Sequence, residues 1–289
     1  MLLQTAADLW VLAKPRITMM VLLTVAVAGF VGALGQVEVW PLVHAVVGAG
    51  LVAVGSSIAN QWWEWRSDAL MHRTCERPLA ARRFPVGAAA AVCGTCTLVG
   101  LIWLVVATTW QAAFWAAATW IGYVLVYTPL KRITSLNTAL GAVVGAMPIL
   151  IGWTAVGAPV TVRCIAFAAM LFLWQFPHFM AIAWLYREDY RRGGLRMITV
   201  TDPTGREAGR QATLASLALV PVSLVPALYG YGWPAMVYAV AAAACGTLLL
   251  AASVAFQVGT SDRTARVLLR ASLLYLPAML FLMVWLVSA

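Results

Sequence analysis

Residues 41–83 read PLVHAVVGAGLVAVGSSIANQWWEWRSDALMHRTCERPLAARR. From Pro41 to Trp63 there is no Lys, Arg, Asp or Glu. At about 1.5 Å per helical residue, that run is long enough to cross a hydrocarbon core of about 30 Å. The composition then changes abruptly, with Glu64, Arg66, Asp68, Arg73, Glu76, Arg77, Arg82 and Arg83 crowded together. A long apolar run emptying into a charged segment is a membrane helix reaching water. The pattern recurs along all 289 residues, which are 63% hydrophobic and only 10% charged. Soluble domains have about 45–50% apolar and about 25% charged residues. The composition excludes a disordered chain, a secreted disulfide scaffold and an ordinary soluble enzyme. It also argues against a nucleic-acid partner, because the net charge of +9 is divided among short loops.

Nine spans emerge: Ile17–Gly35, Pro41–Trp63, Val86–Ala107, Gln111–Thr128, Thr138–Ala155, Val162–Tyr186, Ala212–Gly230, Pro234–Val258 and Ala271–Val287. The basic residues test this threading. With nine spans, every Lys and Arg of the 19 except Arg163 falls on one side. The positive-inside rule then predicts a cytoplasmic N-terminus and a C-terminus outside. Every acidic residue but Glu38 shares the basic side, although acidic residues do little to set topology. Chemistry is therefore expected on the cytoplasmic face. The expected fold is all-α, nine transmembrane helices in one bundle around a central cavity, forming one integral-membrane domain over 1–289. The first residues are neither Arg- and Ser-rich nor followed by a small-residue cleavage site, so a bacterial inner membrane is the expected location.

Three stretches carry candidate chemistry. In the first, Asn60, Glu64 and Asp68 are spaced i, i+4, i+8. On a helix they drift only about 40° per step and lie about 6 Å apart along the axis. An amide and two carboxylates on one face suit a hard cation such as Mg²⁺, whose shell is completed by water and phosphate. Arg66, Arg73 and Arg77 follow as candidate phosphate ligands. The alternative is a loop whose charges simply stay wet. In the second stretch, YTPLKRITSLN (Tyr127–Asn137), Lys131 and Arg132 are either topological anchors or diphosphate ligands. In the third, WQFPHFMAIAWLYREDYRRGGLRM (Trp174–Met197), His178 lies roughly 12 Å into the membrane from Tyr186. An ionisable residue at that depth is a candidate functional group, or else a neutral imidazole bonded to a neighbouring helix. Glu188 and Asp189 are a second metal-binding patch or partners for nearby arginines. Cys93-x2-Cys96 and Gly141-x3-Gly145 read as small packing residues.

Together these stretches resemble the intramembrane prenyltransferase superfamily and, within it, its protohaem IX farnesyltransferase (haem O synthase) branch. The likeness begins at Lys14-Pro15-Arg16-Ile17-Thr18 and continues through Asn60-x3-Glu64-x3-Asp68 and Met71-x-Arg73-Thr74-x2-Arg77-Pro78-Leu79. It extends over Tyr127-Thr128-x-Leu130-Lys131-Arg132-x-Thr134-x2-Asn137, Gly145-Ala146-x-Pro148 and Gly152-Trp153. Trp174-Gln175-x-Pro177-His178-Phe179 and Asp189-Tyr190 complete it. Three departures stand out: Glu64 replaces the usual first aspartate, Asp189-x3-Gly193 is a reduced form of the second acidic motif, and Met197-Ile198-Thr199 replaces Met-Leu-Pro.

The resemblance implies farnesyl transfer from farnesyl diphosphate to a vinyl group of haem b, with addition of water, giving haem O and diphosphate. Asn60, Glu64, Asp68 and Asp189 would then hold Mg²⁺. Arg73, Arg77, Lys131 and Arg132 would bind diphosphate, and His178 would contact haem. A downstream haem-modifying enzyme or terminal oxidase assembly is the protein partner this reading brings with it. The alternatives are a quinone-precursor or other aromatic acceptor, a transporter, and a non-catalytic haem-binding assembly factor.

Overall fold

The computed structural model describes residues 2–36 and 38–289. The described residues are helices and short connections, with no strand among them. Nine of the described helices are long and apolar enough to cross a membrane, as the spans predicted. They are α2 (Pro15–Gly32), α3 (Val39–Asp68), α4 (Val86–Ala107), α5 (Trp110–Ile121) with its continuation to Leu130, α7 (Asn137–Ala155), α8 (Val162–Leu185), α11 (Arg206–Leu224), α12 (Gly232–Val258) and α13 (Asp262–Ser288). Short helices α1 (Leu2–Leu12), α6 (Thr128–Leu130), α9 (Arg187–Arg192) and α10 (Ile198–Thr201) lie between or before them.

Each spanning helix packs against the next in sequence, and α13 returns to α2, so the bundle closes as a ring. Crossings of α2 with α7 and of α8 with α13 brace it internally. Lipid tails are as apolar as leucine, so such crossings depend on small residues that let backbones approach closely. Gly152 of α7 faces the Val25 carbonyl of α2, and a Cβ there would overlap it. Gly145 meets the Gln175 amide of α8, and Gly141 meets the Tyr127 ring, which bears out the packing reading of that pair. Gln175 is held there by donating through Nε2 to Ala142 O at 2.9 Å. Cys93 Sγ contacts Gly55 O at 3.3 Å, so it too is a packing residue.

Three local features depart from the sequence reading. The helix carrying Asn60 does not stop at Trp63 but continues to Asp68, so the carboxylates lie on the spanning helix itself. The fourth span is not uniform: Gly122–Tyr127 is a π-helical segment, a widened turn of the kind frequent at functional sites. An additional helix, α1, precedes the first span. It is joined to the bundle by Arg83 on Asp8 at 3.3 Å and by Gln61 Nε2 on Leu12 O at 2.8 Å.

The loops predicted to share one side do meet. Arg196 N donates to Lys131 O at 2.7 Å, joining the loop after α8 to the one after α6. Asp189 accepts from the amides of His72 and Arg73, joining α9 to the loop after α3. Trp184 Nε1 and Arg187 both donate to Asp262 at the start of α13. The altered residue Thr199 donates to Ala183 O at 2.7 Å, fastening α10 to α8.

Candidate active site

The polar ends of α2, α3 and α6 converge on a buried cluster. Asn60, Glu64 and Asp68 are all at least nine-tenths buried, which removes the wet-loop alternative. Each is bonded to a different element. Asn60 Oδ1 accepts from Lys14 Nζ at 2.5 Å, and its Nδ2 donates to Thr128 Oγ1 at 3.0 Å. Glu64 Oε1 accepts from Lys131 Nζ at 2.9 Å. Asp68 Oδ2 accepts from Arg77 Nη1 at 2.7 Å. Arg132 Nη2 donates to Ser67 Oγ at 2.5 Å, on the neighbouring rung of α3. Four of the predicted phosphate and metal ligands, Glu64, Asp68, Arg77 and Lys131, thus form two adjoining ion pairs.

The π segment explains how α6 reaches this cluster. It stacks Tyr123 on Tyr127 with ring centroids 5.6 Å apart. Lys131 Nζ lies 4.5 Å from the Tyr127 centroid, a cation–π contact. Burial opposes the Lys131 ammonium, but Glu64, Tyr127 and Tyr123 more than offset it and hold its pKa above the ordinary lysine value. Lys14 is different. Burial, helped by the Arg77 guanidinium, pulls its ammonium down to about 7 although Glu64 pulls the other way.

In the sequence Lys14 counts among the basic residues that sort to one side and opens the family likeness, with no contact assigned to it. The chain turns left-handed at Lys14 (φ 48°, ψ 61°) between α1 and α2, and the side chain reaches Asn60. Thr128 falls within the second stretch of the sequence but has no role assigned to it there. It bridges Asn60 and the Tyr123 carbonyl.

Other predicted residues lie around this cluster. Arg73 is exposed, donates to Tyr190 OH at 3.3 Å, and lies 4.4 Å from the Tyr186 centroid. Arg66 lies over Trp65. Asp189, expected at the metal, has both carboxylate oxygens engaged by loop amides, His72 N at 3.2 Å and Arg73 N at 3.1 Å. Among the described residues no three His, Cys, Asp or Glu are already grouped as for a metal. A metal in the cluster would draw on two carboxylates and an amide. One donor is ready: Asp68 Oδ1 is buried with no hydrogen-bond partner.

His178 belongs to another wall of the bundle. It stacks on Trp174 at 4.8 Å, and its Nδ1 lies 3.0 Å from Ser272 Oγ of α13. His44 lies between Trp40 and Trp103.

The described residues thus form a closed ring of nine spanning helices with paired carboxylates buried among lysine and arginine at one end. The model for the UbiA prenyltransferase family matches residues 21–275. The chain is 39% identical to a protoheme IX farnesyltransferase of Solibacter usitatus, covering 94% of this chain and 96% of that protein. A solved digeranylgeranylglyceryl phosphate synthase superposes with a TM-score of 0.80 at 12% identity, over 98% of this chain and 99% of the other. A UbiA homologue from Archaeoglobus fulgidus, bound to DMAPP and Mg²⁺, gives 0.73 at 15% identity, over 96% and 99%. The protein belongs to the UbiA prenyltransferase family.

Proposed function

We propose that the protein transfers the farnesyl group of farnesyl diphosphate to a vinyl group of haem b, with addition of water, giving haem O and diphosphate. The observation that carries this reading is the near full-length match to protoheme IX farnesyltransferase. The buried charge cluster supplies a physical route. The C1–O bond of farnesyl diphosphate breaks, and its electron pair leaves with diphosphate. Farnesyl C1 bonds to the terminal vinyl carbon, water oxygen bonds to the cationic inner carbon, and a proton departs.

Glu64 and Asp68, with Asn60 beside them, fit Mg²⁺ by donor chemistry, and the unpartnered Asp68 Oδ1 supports this. Mg²⁺ held there would supply Lewis-acid neutralisation of the leaving group's charge. In the structure each carboxylate is paired with a cation of the chain, Glu64 with Lys131 and Asp68 with Arg77. Substrate entry exchanges these partners. Lys131 and Arg77 turn to phosphate oxygens, joined by Arg132 and Arg73, and Glu64 and Asp68 are thereby freed and would hold the metal. Phosphate-directed donors held in a water-poor site act where charge develops, which lowers the barrier. Asp189 serves by holding the Arg73 loop. His178 contacts haem from the α8–α13 wall.

The cluster faces the cytoplasm of a bacterial inner membrane in this reading, because the loops around it carry nearly all the basic residues. Acceptor identity is tested by offering membranes haem b and hydroxybenzoate together with farnesyl diphosphate and Mg²⁺, read by mass spectrometry. Haem gaining one farnesyl and one water is expected. Prenylated hydroxybenzoate with unmodified haem would overturn the haem assignment.

A further inference from the structure

His178 and Trp174 both depend on one residue of the last helix. Ser272 is fully buried. Its backbone carbonyl accepts from Trp174 Nε1 at 2.7 Å, and its hydroxyl lies 3.0 Å from His178 Nδ1. Trp174 stacks on the imidazole at an interplanar angle of 20°, so α13 fixes the ring's position as well as its edge.

The hydroxyl has only one proton, and its destination is decided by a second contact. Ser272 Oγ lies 2.7 Å from Leu269 O. Two oxygens that close require a proton between them, and the carbonyl has none to give. The serine therefore donates to Leu269 and can only accept from His178. That places the imidazole proton on Nδ1. The second ring nitrogen, Nε2, has no protein hydrogen-bond partner among the described residues and keeps its lone pair.

We propose that Ser272 is a positioning residue that holds His178 as the Nδ1–H tautomer, so that Nε2 presents its lone pair to the acceptor substrate. The direction toward the acceptor rests on the haem reading above; the tautomer does not. Iron ligation by imidazole uses such a lone pair, with the other nitrogen oriented by a hydrogen bond.

The protein has three histidines, His44, His72 and His178, so imidazole ¹⁵N spectra of histidine-labelled full-length protein can be assigned with His→Gln variants. The expected wild-type result is a pyrrole-type Nδ1 and a pyridine-type Nε2 for His178. Ser272→Ala is expected to release the ring toward the Nε2–H form, and Ser272→Thr to retain the wild-type pattern. Haem b binding, followed by absorbance, should weaken roughly 10-fold in Ser272→Ala with the KM for farnesyl diphosphate unchanged. A wild-type His178 protonated on Nε2 would overturn the proposal, whether or not the alanine variant folds. So would an alanine variant that keeps the Nδ1–H pattern. If the tautomer is as expected but haem b leaves the wild-type spectrum unchanged, the haem reading fails and the orientation toward the acceptor with it.

Discussion

Asp68 and Glu64 show how single residues divide the labour of the cluster. Asp68 has one oxygen on Arg77 and one buried without a partner. Asp68→Asn keeps the shape and removes the charge, so turnover is expected to fall about 10²–10³-fold while the protein stays folded by size exclusion and melting. Glu64 is tied to Lys131 with both side chains largely buried, 7% and 13% exposed. Lys131→Met leaves that carboxylate unpaired, a change that costs about 3–5 kcal/mol at fully buried sites and somewhat less here. The melting temperature should drop and recover substantially in Lys131→Met with Glu64→Gln, whereas activity should not recover. A double variant no more stable than the single one would show that the pair is not coupled. The spacing of Asn60, Glu64 and Asp68 was legible in the sequence because helix periodicity alone puts them on one face. Lys14 was not. A lysine before a span sorts with the other basic residues, and only the left-handed turn at Lys14 brings its side chain onto Asn60.

At the scale of elements, spans and loops were legible and their junctions were not. Hydropathy sees length and polarity, so it placed the helices. It is blind to the π segment at Gly122–Tyr127, which changes the turn without changing composition. It also stops a helix where the residues become polar, although α3 continues through Glu64 to Asp68 because its polar residues find partners inside the protein. Helix crossings give a test at this scale. Gly152→Ala would press a methyl group onto the Val25 carbonyl, forcing α2 and α7 apart. Overpacking of this kind costs about 1–3 kcal/mol, and a lowered melting temperature in detergent is expected. The loop between α3 and α4 gives another. Asp189→Ala frees the amides of His72 and Arg73, so the KM for farnesyl diphosphate should rise several-fold with little change in melting. An unchanged KM would detach Asp189 from substrate binding.

For the whole molecule, the nine-helix ring puts the loops after α3, α6, α8 and α12 at one end, and hydrogen bonds join them there. Cys75 lies in the first of these loops, whereas Cys93, Cys96, Cys164 and Cys245 lie within spanning helices. A membrane-impermeant thiol reagent should label Cys75 from the cytoplasmic side and leave it unlabelled from the opposite side. Labelling from the opposite side alone would invert the topology. The central claim is that the buried charge cluster drives farnesyl transfer to haem. It is tested most directly by incubating membranes that contain the protein with haem b and farnesyl diphosphate, with and without Mg²⁺, beside the Asp68→Asn variant, and measuring haem O by mass spectrometry. A Mg²⁺-dependent haem O peak is expected, smaller by about 10²–10³-fold in the variant. Haem O formed equally by the variant, or none formed by folded wild-type protein, would contradict it.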